Sequence, residues 1–186
     1  MGRPREFEPD DALEAIKGAF WRLGYDGASM HELEAATGLR KQSLYREFGD
    51  KRAMYLAALD HYERNEITRA TAVLGDKGSA RARFSRLFDE LISDRDIRGC
   101  FLCNASVDQA PLEKTVENVV SAMVKRWITV FENALAASEP YRSAPKKRER
   151  KAAHLAAAYM GLRILIKARA PETVLRNAAD DALATI

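Results

Sequence analysis

The chain has 186 residues, of which 47% are apolar and 31% charged, with a formal net charge of +3. This composition is typical of a globular protein and argues against an intrinsically disordered chain. No apolar run approaches the roughly 18 residues that a transmembrane helix needs, and the N-terminal residues lack the apolar region of a secretory signal. We therefore expect a cytoplasmic protein without a membrane partner. Cys100 and Cys103 are the only cysteines, which fits a reducing compartment.

Helical periodicity runs through the whole sequence, and strand patterns are nearly absent. Pro9 opens a first predicted helix, which Gly24 stops. Two short helices are expected next, over about 30–36 and 40–48, joined by a tight turn. Ser29 is the predicted N-cap of the first of these, and Glu32 three residues later completes a capping box.

The remaining helices are longer and follow one another to the C-terminus. They are predicted from Asp50 to the loop at Gly75–Gly78, and then over about 79–93, 101–108, 111–137, 146–170 and 171–184. The chain is therefore predicted to be all-α, with about nine helices in two domains. Residues 1–52 form a three-helix helix-turn-helix domain, and residues 53–186 form a second helical domain. Helix four links the two from about residue 50.

The helix predicted over 40–48 has the chemistry of a DNA-recognition helix. Leu44 and Phe48 are four residues apart and should face inward, which leaves the polar side chains outside. Lys, Gln and Arg side chains reach base edges in the major groove, and a Tyr hydroxyl can donate to a phosphate oxygen. The N-termini of the neighbouring helices add free backbone N–H groups. The predicted DNA-binding residues are Ser29, Arg40, Lys41, Gln42, Ser43, Tyr45, Arg46 and Lys51.

The net charge of the N-terminal domain does not indicate DNA binding, but the local charge around the predicted recognition helix does. Residues 1–52 carry nine basic and ten acidic side chains, but residues 40–52 carry five basic against two acidic ones, a local charge of +3. A solvated helix face is the alternative interpretation of these cations. Arg3 and Arg5 are either a minor-groove arm or a plain N-terminal tail.

Together these residues resemble the DNA-binding domain of TetR-family transcriptional regulators. The matching residues are the Gly24-x2-Gly27-Ala28-Ser29-Met30 entry, Ala36-Thr37-Gly38-Leu39, Ser43-Leu44-Tyr45, Phe48 and Asp50-Lys51. The resemblance covers about residues 10–60 and continues beyond them only as an all-helical layout. One departure is Glu34, where such proteins usually carry a small or apolar residue. Its carboxylate is expected to pair with Arg40 or Lys41, or to stay at the edge of the domain.

The resemblance implies that the C-terminal domain binds a small-molecule effector and forms a homodimer. The last two predicted helices are too apolar for the surface of a monomer, and their small residues would permit close approach of a second copy. A dimer also suits a helix-turn-helix, which reads two half-sites of a palindromic double-stranded operator. The predicted interface residues are Leu155, Ala158, Leu162, Leu165, Leu175, Ala179 and Leu183.

An effector pocket is expected among large apolar side chains of the middle helices. The candidates are Phe84, Phe88, Met123, Trp127, Phe131 and Tyr159. The alternative is that this stripe, at helical spacing, is simply core.

The segment from Gly99 to Asn104 resembles a subset of the family in which it opens the sixth helix, and some relatives use a cysteine near here to sense electrophiles or oxidants. Both sulfurs of Cys100 and Cys103 fall on one helix face, near a helix N-terminus that lowers the pKa of a thiol. A redox or electrophile sensor is one interpretation, and two inert buried residues is the other. A metal site is not expected, since His31, His61 and His154 are not at ligand spacing.

The sequence thus predicts a sequence-specific transcriptional regulator, a homodimeric repressor that a small apolar ligand or thiol modification releases from its operator. The alternative is an effector-independent DNA-binding protein with weak sequence preference. No Ser/His/Asp arrangement, phosphate loop or carboxylate pair occurs in a plausible context, so we expect neither an enzyme nor a cofactor.

Overall fold

The computed structural model describes residues 8–184 and 186, so Arg3 and Arg5 lie outside the described residues. Within that range the chain forms nine α-helices and no strand, which confirms the all-α prediction. The helices are α1 (Pro9–Gly27), α2 (Met30–Thr37), α3 (Lys41–Phe48), α4 (Lys51–Gly75), α5 (Ala80–Asp94), α6 (Phe101–Asp108), α7 (Lys114–Ala136), α8 (Pro145–Lys167) and α9 (Glu172–Leu183).

The first helix is interrupted where the sequence predicts its end. Gly24 has φ 72° and ψ 175°, outside helical values, and α1 continues beyond it only as a short turn to Gly27. Glycine is favoured at this positive φ because it has no Cβ. Ile16 and Phe20, one turn apart, are fully buried on the face that α1 packs against α4. This packing orients the two short helices that follow.

The long helix α4 connects the N-terminal three helices to the rest of the core. Met54, Leu59 and Tyr62 repeat along its buried face. Arg83 of α5 is also buried, and its guanidinium donates to the carbonyls of Leu74 (2.6 Å) and Ala134 (3.0 Å) at the ends of α4 and α7. A cation there satisfies carbonyls that lack helical partners and complements two negative helix ends. α8 then packs on α7, and α9 packs on α8 and α5.

Two predicted helix boundaries are corrected. Pro111 lies in a turn rather than at a helix start, because α7 begins at Lys114 with the Glu113 carboxylate accepting from the Thr115 N–H at 3.2 Å. α8 ends at Lys167 rather than near 170. There Arg169 takes a left-handed φ of 58°, and the Ala170 N–H bonds back to the Leu165 carbonyl at 3.0 Å, a common way for a helix to end.

An aromatic cluster joins the two predicted domains. The Trp21 ring of α1 packs against Tyr62 of α4 and Phe101 of α6, with ring centroids 5.0 and 6.4 Å apart. Tyr55 meets Phe101 edge to face at 5.6 Å. The core is therefore continuous from α1 into α6, and the division at residue 52 stays a prediction.

Candidate DNA-binding surface and sensor site

The polar face of α3 is exposed to solvent, as the sequence predicts. Leu44 is fully buried, and Phe48 is half-buried against the same core. Ser43 is half-buried, whereas the other predicted contact residues of this segment are exposed: Arg40, Lys41, Gln42, Tyr45 and Arg46. Among the described residues, no carboxylate forms an ion pair with the side chains of Arg40, Lys41 or Arg46. Their charges are therefore available to phosphates or base edges.

Glu34 stabilises the start of this helix. Its Oε1 accepts a hydrogen bond from the backbone N–H of Lys41, the first residue of α3, at 2.5 Å. Arg40 is the N-cap residue by position but makes no capping bond with its side chain. A carboxylate from α2 thus supplies the cap that the local sequence lacks, and its charge suits the positive helix end. This is the structural role of the residue that departs from the family pattern.

The turn between α2 and α3 is closed by Thr37 and Gly38. The Thr37 hydroxyl donates to the Leu33 carbonyl (2.7 Å) and accepts from the Leu39 N–H (3.2 Å). Gly38 takes a left-handed φ of 70°, and its N–H bonds to the Glu34 carbonyl at 2.8 Å. These bonds fix the angle at which α3 leaves α2.

The helices before and after α3, which are α2 and α4, are each capped by the side chain of the residue that precedes them. Ser29 Oγ accepts from the Glu32 N–H at 3.2 Å, which is half of the predicted capping box. The other half is missing, because the Ser29 N–H bonds to the Gly27 carbonyl instead, at 3.0 Å. At the start of α4, Asp50 caps the Ala53 N–H at 2.7 Å.

Lys51, the last predicted contact residue, is half-buried at the start of α4. Its Nζ lies 4.6 Å from the centre of the Tyr25 ring. This cation–π contact holds the ammonium group at the end of the helix-turn-helix.

The six residues predicted to line an effector pocket are all buried core residues, and the five aromatic ones form a single cluster. None is more than 3% exposed. Phe131 lies at the centre, with ring centroids 5.2 Å from Phe84, 5.7 Å from Trp127 and 5.9 Å from Tyr159. Phe88 meets Tyr159 at 5.7 Å. The structure brings these residues together as core, and their role in binding an effector stays a prediction.

A cavity of about 590 Å³ lies elsewhere, at the junction of α1, α4, α5 and α8. Sequence reasoning did not predict it, since its lining comes from five separate parts of the chain. The lining mixes charged and apolar side chains, among them Trp21, Arg69, Arg98, Arg163 and Ile166. Gly99, next to Cys100, also forms part of its wall.

Cys100 is the N-cap of α6 and is buried. Its Sγ accepts hydrogen bonds from the Cys103 N–H (3.4 Å) and the Tyr62 hydroxyl (3.5 Å). The side-chain hydrogen bond from Cys103 and the nearby Arg163 charge lower the pKa of Cys100, although burial opposes this. The same hydrogen bond, together with burial, raises the pKa of Cys103. The two thiols are therefore inequivalent, with the pKa of Cys100 lowered and the pKa of Cys103 raised.

Arg163 is the buried cation whose charge lowers the pKa of the Cys100 thiol. It is 5% exposed, forms an ion pair with Glu66, and donates to the hydroxyls of Tyr62 (2.9 Å) and Tyr159 (3.0 Å). It therefore connects the cysteine pair to the aromatic cluster described above.

Three polar contacts between the helix-turn-helix and the rest of the chain were missed by sequence reasoning, because each joins residues far apart in sequence. The guanidinium of Arg98 lies 3.9 Å over the Trp21 ring. The Tyr25 N–H donates to the Asp108 carboxylate at 3.3 Å, and Arg52 pairs with Glu113 at 2.6 Å. They place the loop before α6, the end of α6 and the start of α7 in direct contact with α1 and α4.

Most of the predicted dimer contacts are buried within a single chain, and their role in dimerisation stays a prediction. Five residues are no more than 5% exposed within a single chain: Leu155, Leu162, Leu175, Ala179 and Leu183. These five side chains are shielded by their own chain and belong to its apolar core, so they offer little surface to a second copy in this arrangement. Ala158 and Leu165 are half-buried. The exposed large apolar side chains of α8 and α9 are instead Ile164 (56%) and Val174 (44%).

The described residues contain neither a metal-binding cluster nor a membrane-spanning helix. No group of three or more His, Cys, Asp or Glu side chains there is arranged to hold a metal ion. No described helix combines the length and apolar character needed to cross a membrane.

The fold and the exposed α3 surface define a class of protein, the helix-turn-helix transcriptional regulators with an all-helical C-terminal region. Comparison with known proteins narrows this class. The family described as "Bacterial regulatory proteins, tetR family" matches residues 12–58. The solved structure of the TetR-family regulator CifR, a cysteine-substituted form complexed with 26-base-pair operator DNA, is 30% identical and superposes with a TM-score of 0.86 over 98% of both chains. The chain belongs to the TetR family of transcriptional regulators.

Two curated relatives extend the similarity beyond the helix-turn-helix. The uncharacterized regulator YezE of Bacillus subtilis is 27% identical over 139 residues, which cover 73% of this chain and 72% of its own. The repressor ComR of Escherichia coli is 28% identical over 138 residues, 70% of this chain and 66% of its own.

Proposed function

We propose that the protein is a homodimeric cytoplasmic repressor, released from a palindromic operator when the region around Cys100 is modified or occupied. The observation that carries the release step is a continuous path of contacts. The Cys100 thiol accepts from the Tyr62 hydroxyl, the Tyr62 ring packs on Trp21 at 5.0 Å, and Trp21 belongs to α1. A chemical change at one sulfur therefore acts on the helix that supports α2 and α3.

Binding of DNA rests on the exposed cations of α3. Lys41 and Arg46 are unpaired by carboxylates in the described part of the chain and are suited to base edges, while Tyr45, 40% exposed, is suited to a phosphate. CifR, with 30% identity over nearly its whole length, is a relative that was crystallised with operator DNA. ComR is named as a repressor, which supports repression as the mode of action.

Dimerisation is proposed through the exposed face of α8 and α9. Ile164 and Val174 are large apolar side chains open to solvent, and Ala157 and Gly161 lie on the same face of α8 as Ile164. Small residues at this spacing let two helices approach closely, and the bulky ones supply apolar area. Two copies joined in this way would present two α3 helices to one palindrome.

Release is proposed to follow from the tight surroundings of Cys100. An adduct on its Sγ would add atoms where the sulfur now accepts the Cys103 N–H and the Tyr62 hydroxyl, so α6 would lose its cap and Tyr62 would move. Phe101 is stacked against Trp21 and would move with α6. The effect is a population shift towards a spacing of the two α3 helices that no longer matches successive major grooves.

A small-molecule effector is the second route to the same state. The junction cavity of about 590 Å³ borders Trp21, Arg98 and Gly99, so a ligand there would act on the same contacts. The six aromatic and apolar residues named from the sequence are packed against one another, which favours the junction cavity as the place of binding. An effector-independent DNA-binding protein is the remaining alternative. Its affinity for DNA would change neither on thiol modification nor on addition of a small-molecule ligand.

The test measures operator affinity by fluorescence anisotropy, using a duplex selected from random sequences with the purified protein. Reduced protein, protein treated with N-ethylmaleimide, and the Cys100→Ser and Cys103→Ser variants are compared. We expect alkylation to weaken operator binding of the parent and of Cys103→Ser by at least tenfold, and to leave Cys100→Ser unaffected. Loss of binding in alkylated Cys100→Ser, or no loss in the parent, would contradict the thiol route. Absence of sequence preference in reduced protein would contradict the repressor itself.

A further inference from the structure

The wall of the junction cavity contains hydrogen-bond donors that have no acceptor within the chain. Among the described residues, four buried side-chain nitrogens lack a hydrogen-bond partner, and three of them belong to this wall: Trp21 Nε1, Arg69 Nε and Arg163 Nε. No buried side-chain oxygen in the described part of the chain lacks a partner. The wall therefore has an excess of donors, and a group that accepts hydrogen bonds would satisfy them.

The charges of the wall are already balanced. Four cationic and four carboxylate side chains line the cavity. Each of the four cations forms an ion pair with a carboxylate of the chain, as in Lys17–Glu14 and Arg98–Asp96, both at 2.6 Å. An anionic ligand would add a further negative charge without an unpaired cation to balance it. The wall thus lacks acceptors rather than negative charge.

The size and the apolar part of the cavity suit a small organic molecule. Its volume of about 590 Å³ falls within the roughly 300–1,000 Å³ that is usual for small-molecule sites. Trp21, Leu91 and Ile166 contribute apolar surface to the wall. The hydrocarbon part of a ligand would be removed from water against these three side chains, which favours binding.

Arg69 is the donor of the wall that is held most loosely. Its guanidinium lies 3.3 Å from the Glu66 carboxylate, 3.4 Å from the Tyr159 hydroxyl and 3.8 Å from the Glu90 carboxylate. These distances are at or beyond the upper end of the hydrogen-bond range. By contrast, Arg163 donates to the same Tyr159 hydroxyl at 3.0 Å. Arg69 therefore gives up only weak contacts when it turns its Nε–H towards a ligand.

We propose that the junction cavity binds a neutral carbonyl compound with an apolar body, such as a ketone or an ester, whose oxygen accepts a hydrogen bond from Arg69. A carbonyl oxygen has two acceptor lone pairs and brings no donor, which matches a wall with donors in excess. This inference rests on the proposed function, in which the same cavity receives a small-molecule effector, and it adds the chemical class of that effector.

The experiment is isothermal titration calorimetry of the reduced full-length protein with three related probes. Benzophenone carries the carbonyl group, and diphenylmethane has a methylene group in its place. Diphenylacetate has a similar apolar body with a carboxylate. None of the three alkylates thiols, so their binding is separate from modification of Cys100.

Two variants alter the wall, and a third is the control. Arg69→Met removes the donor and retains the length of the side chain. Ser93→Trp adds bulk at an exposed position of the wall, where no buried contact is lost. The matched control is Arg64→Met, which removes an exposed arginine of the same helix, α4, outside the cavity.

We expect one saturable benzophenone site per chain, and binding at least tenfold weaker for diphenylmethane and for diphenylacetate. Benzophenone binding should weaken at least tenfold in Arg69→Met and in Ser93→Trp and stay unchanged in Arg64→Met. No saturable benzophenone binding, equal affinity for diphenylmethane, tighter binding of diphenylacetate, or full affinity in both wall variants would overturn the proposal. If circular dichroism shows that Arg69→Met does not fold, Ser93→Trp and the comparison of the three probes decide.

Operator affinity is measured separately, with and without saturating benzophenone. Benzophenone that binds without weakening operator affinity supports the carbonyl class and contradicts only the cavity route to release. Release of the operator by N-ethylmaleimide, together with no binding of benzophenone, would overturn this inference and leave the proposed thiol route intact.

Discussion

Replacement of Glu34 tests how the recognition helix is held in position. The Glu34 carboxylate accepts the first N–H of α3 at 2.5 Å, and no side chain of the segment before α3 supplies another cap. Removal of a capping acceptor costs about 0.5–2 kcal/mol, and the charge at the positive helix end adds a few tenths. We expect Glu34→Ala to lower the free energy of unfolding by about 1–2 kcal/mol. In a chain of this size each kcal/mol lowers Tm by about 2–4 °C.

Glu34→Ala should weaken operator-specific contacts and strengthen non-specific DNA binding, two effects of opposite sign. Loss of the cap loosens the start of α3, so contacts that depend on the position of Lys41 weaken and operator preference falls. Loss of a negative charge from the DNA-facing side strengthens non-specific binding. The expected signature is therefore a reduced ratio between operator affinity and non-operator affinity, rather than a uniform loss.

Two further variants separate these parts, with thermal unfolding and fluorescence anisotropy as the assays. Glu34→Gln retains an acceptor without the charge and should restore most of Tm and of the specificity ratio. Glu32→Ala removes an acid in the first turn of the same helix whose side chain makes no hydrogen bond in the described part of the chain. It should lower the free energy of unfolding by only about a few tenths of a kcal/mol, through the helix dipole, and otherwise change only non-specific binding. An unchanged Tm and an unchanged specificity ratio in Glu34→Ala would refute the reasoning.

Three other predictions concern the contact of Lys41 with DNA, the dimer interface and the Cys100 thiol. Lys41→Ala should cost about 1–3 kcal/mol of operator binding with little effect on Tm, and equal affinity for parent and variant would remove Lys41 from the interface. Ile164→Glu should give folded monomers by analytical ultracentrifugation, whereas Leu162→Glu, which buries a charge in the core, should lower Tm sharply; a folded, dimeric Ile164→Glu would move the interface elsewhere. Because the folded-state pKa of Cys100 is lowered, stability from its thiolate is present above the unfolded thiol's pKa and is lost as pH falls through the folded pKa. Tyr62→Phe removes a donor to this sulfur and should move the pH profile of Cys100 alkylation by iodoacetamide to higher pH, so an unshifted profile would contradict the hydrogen bond.

The helix-turn-helix could be predicted from sequence because its determinants are local. Ser29, Gly38 and Asp50 act on residues within four positions of themselves, through caps and a left-handed turn that any chain with these residues would favour. The exposed face of α3 follows from helical periodicity once Leu44 is assigned to the core. These features need no information about distant parts of the chain.

The regulatory half was predicted less completely, because periodicity shows that a face is buried but not which element covers it. Leu162 and Leu175 have the apolar pattern of an interface, yet α7, α8, α9 and α5 bury them within one chain and leave Ile164 and Val174 outside. Likewise, Phe131 and its neighbours have the composition of a pocket but fill the space themselves. Only the packing of whole helices decides between these outcomes.

The sequence by itself determined the class of fold, the order of the helices and the chemistry of α3, since caps, turns and helical periodicity act over a few residues. The tertiary structure decided which helices pack together and which of their side chains are in contact. It brought Arg163 close to Cys100, and it placed Arg98 over Trp21. Contacts between helices distant in sequence depend on how side chains fill a shared core, and no local pattern contains that information.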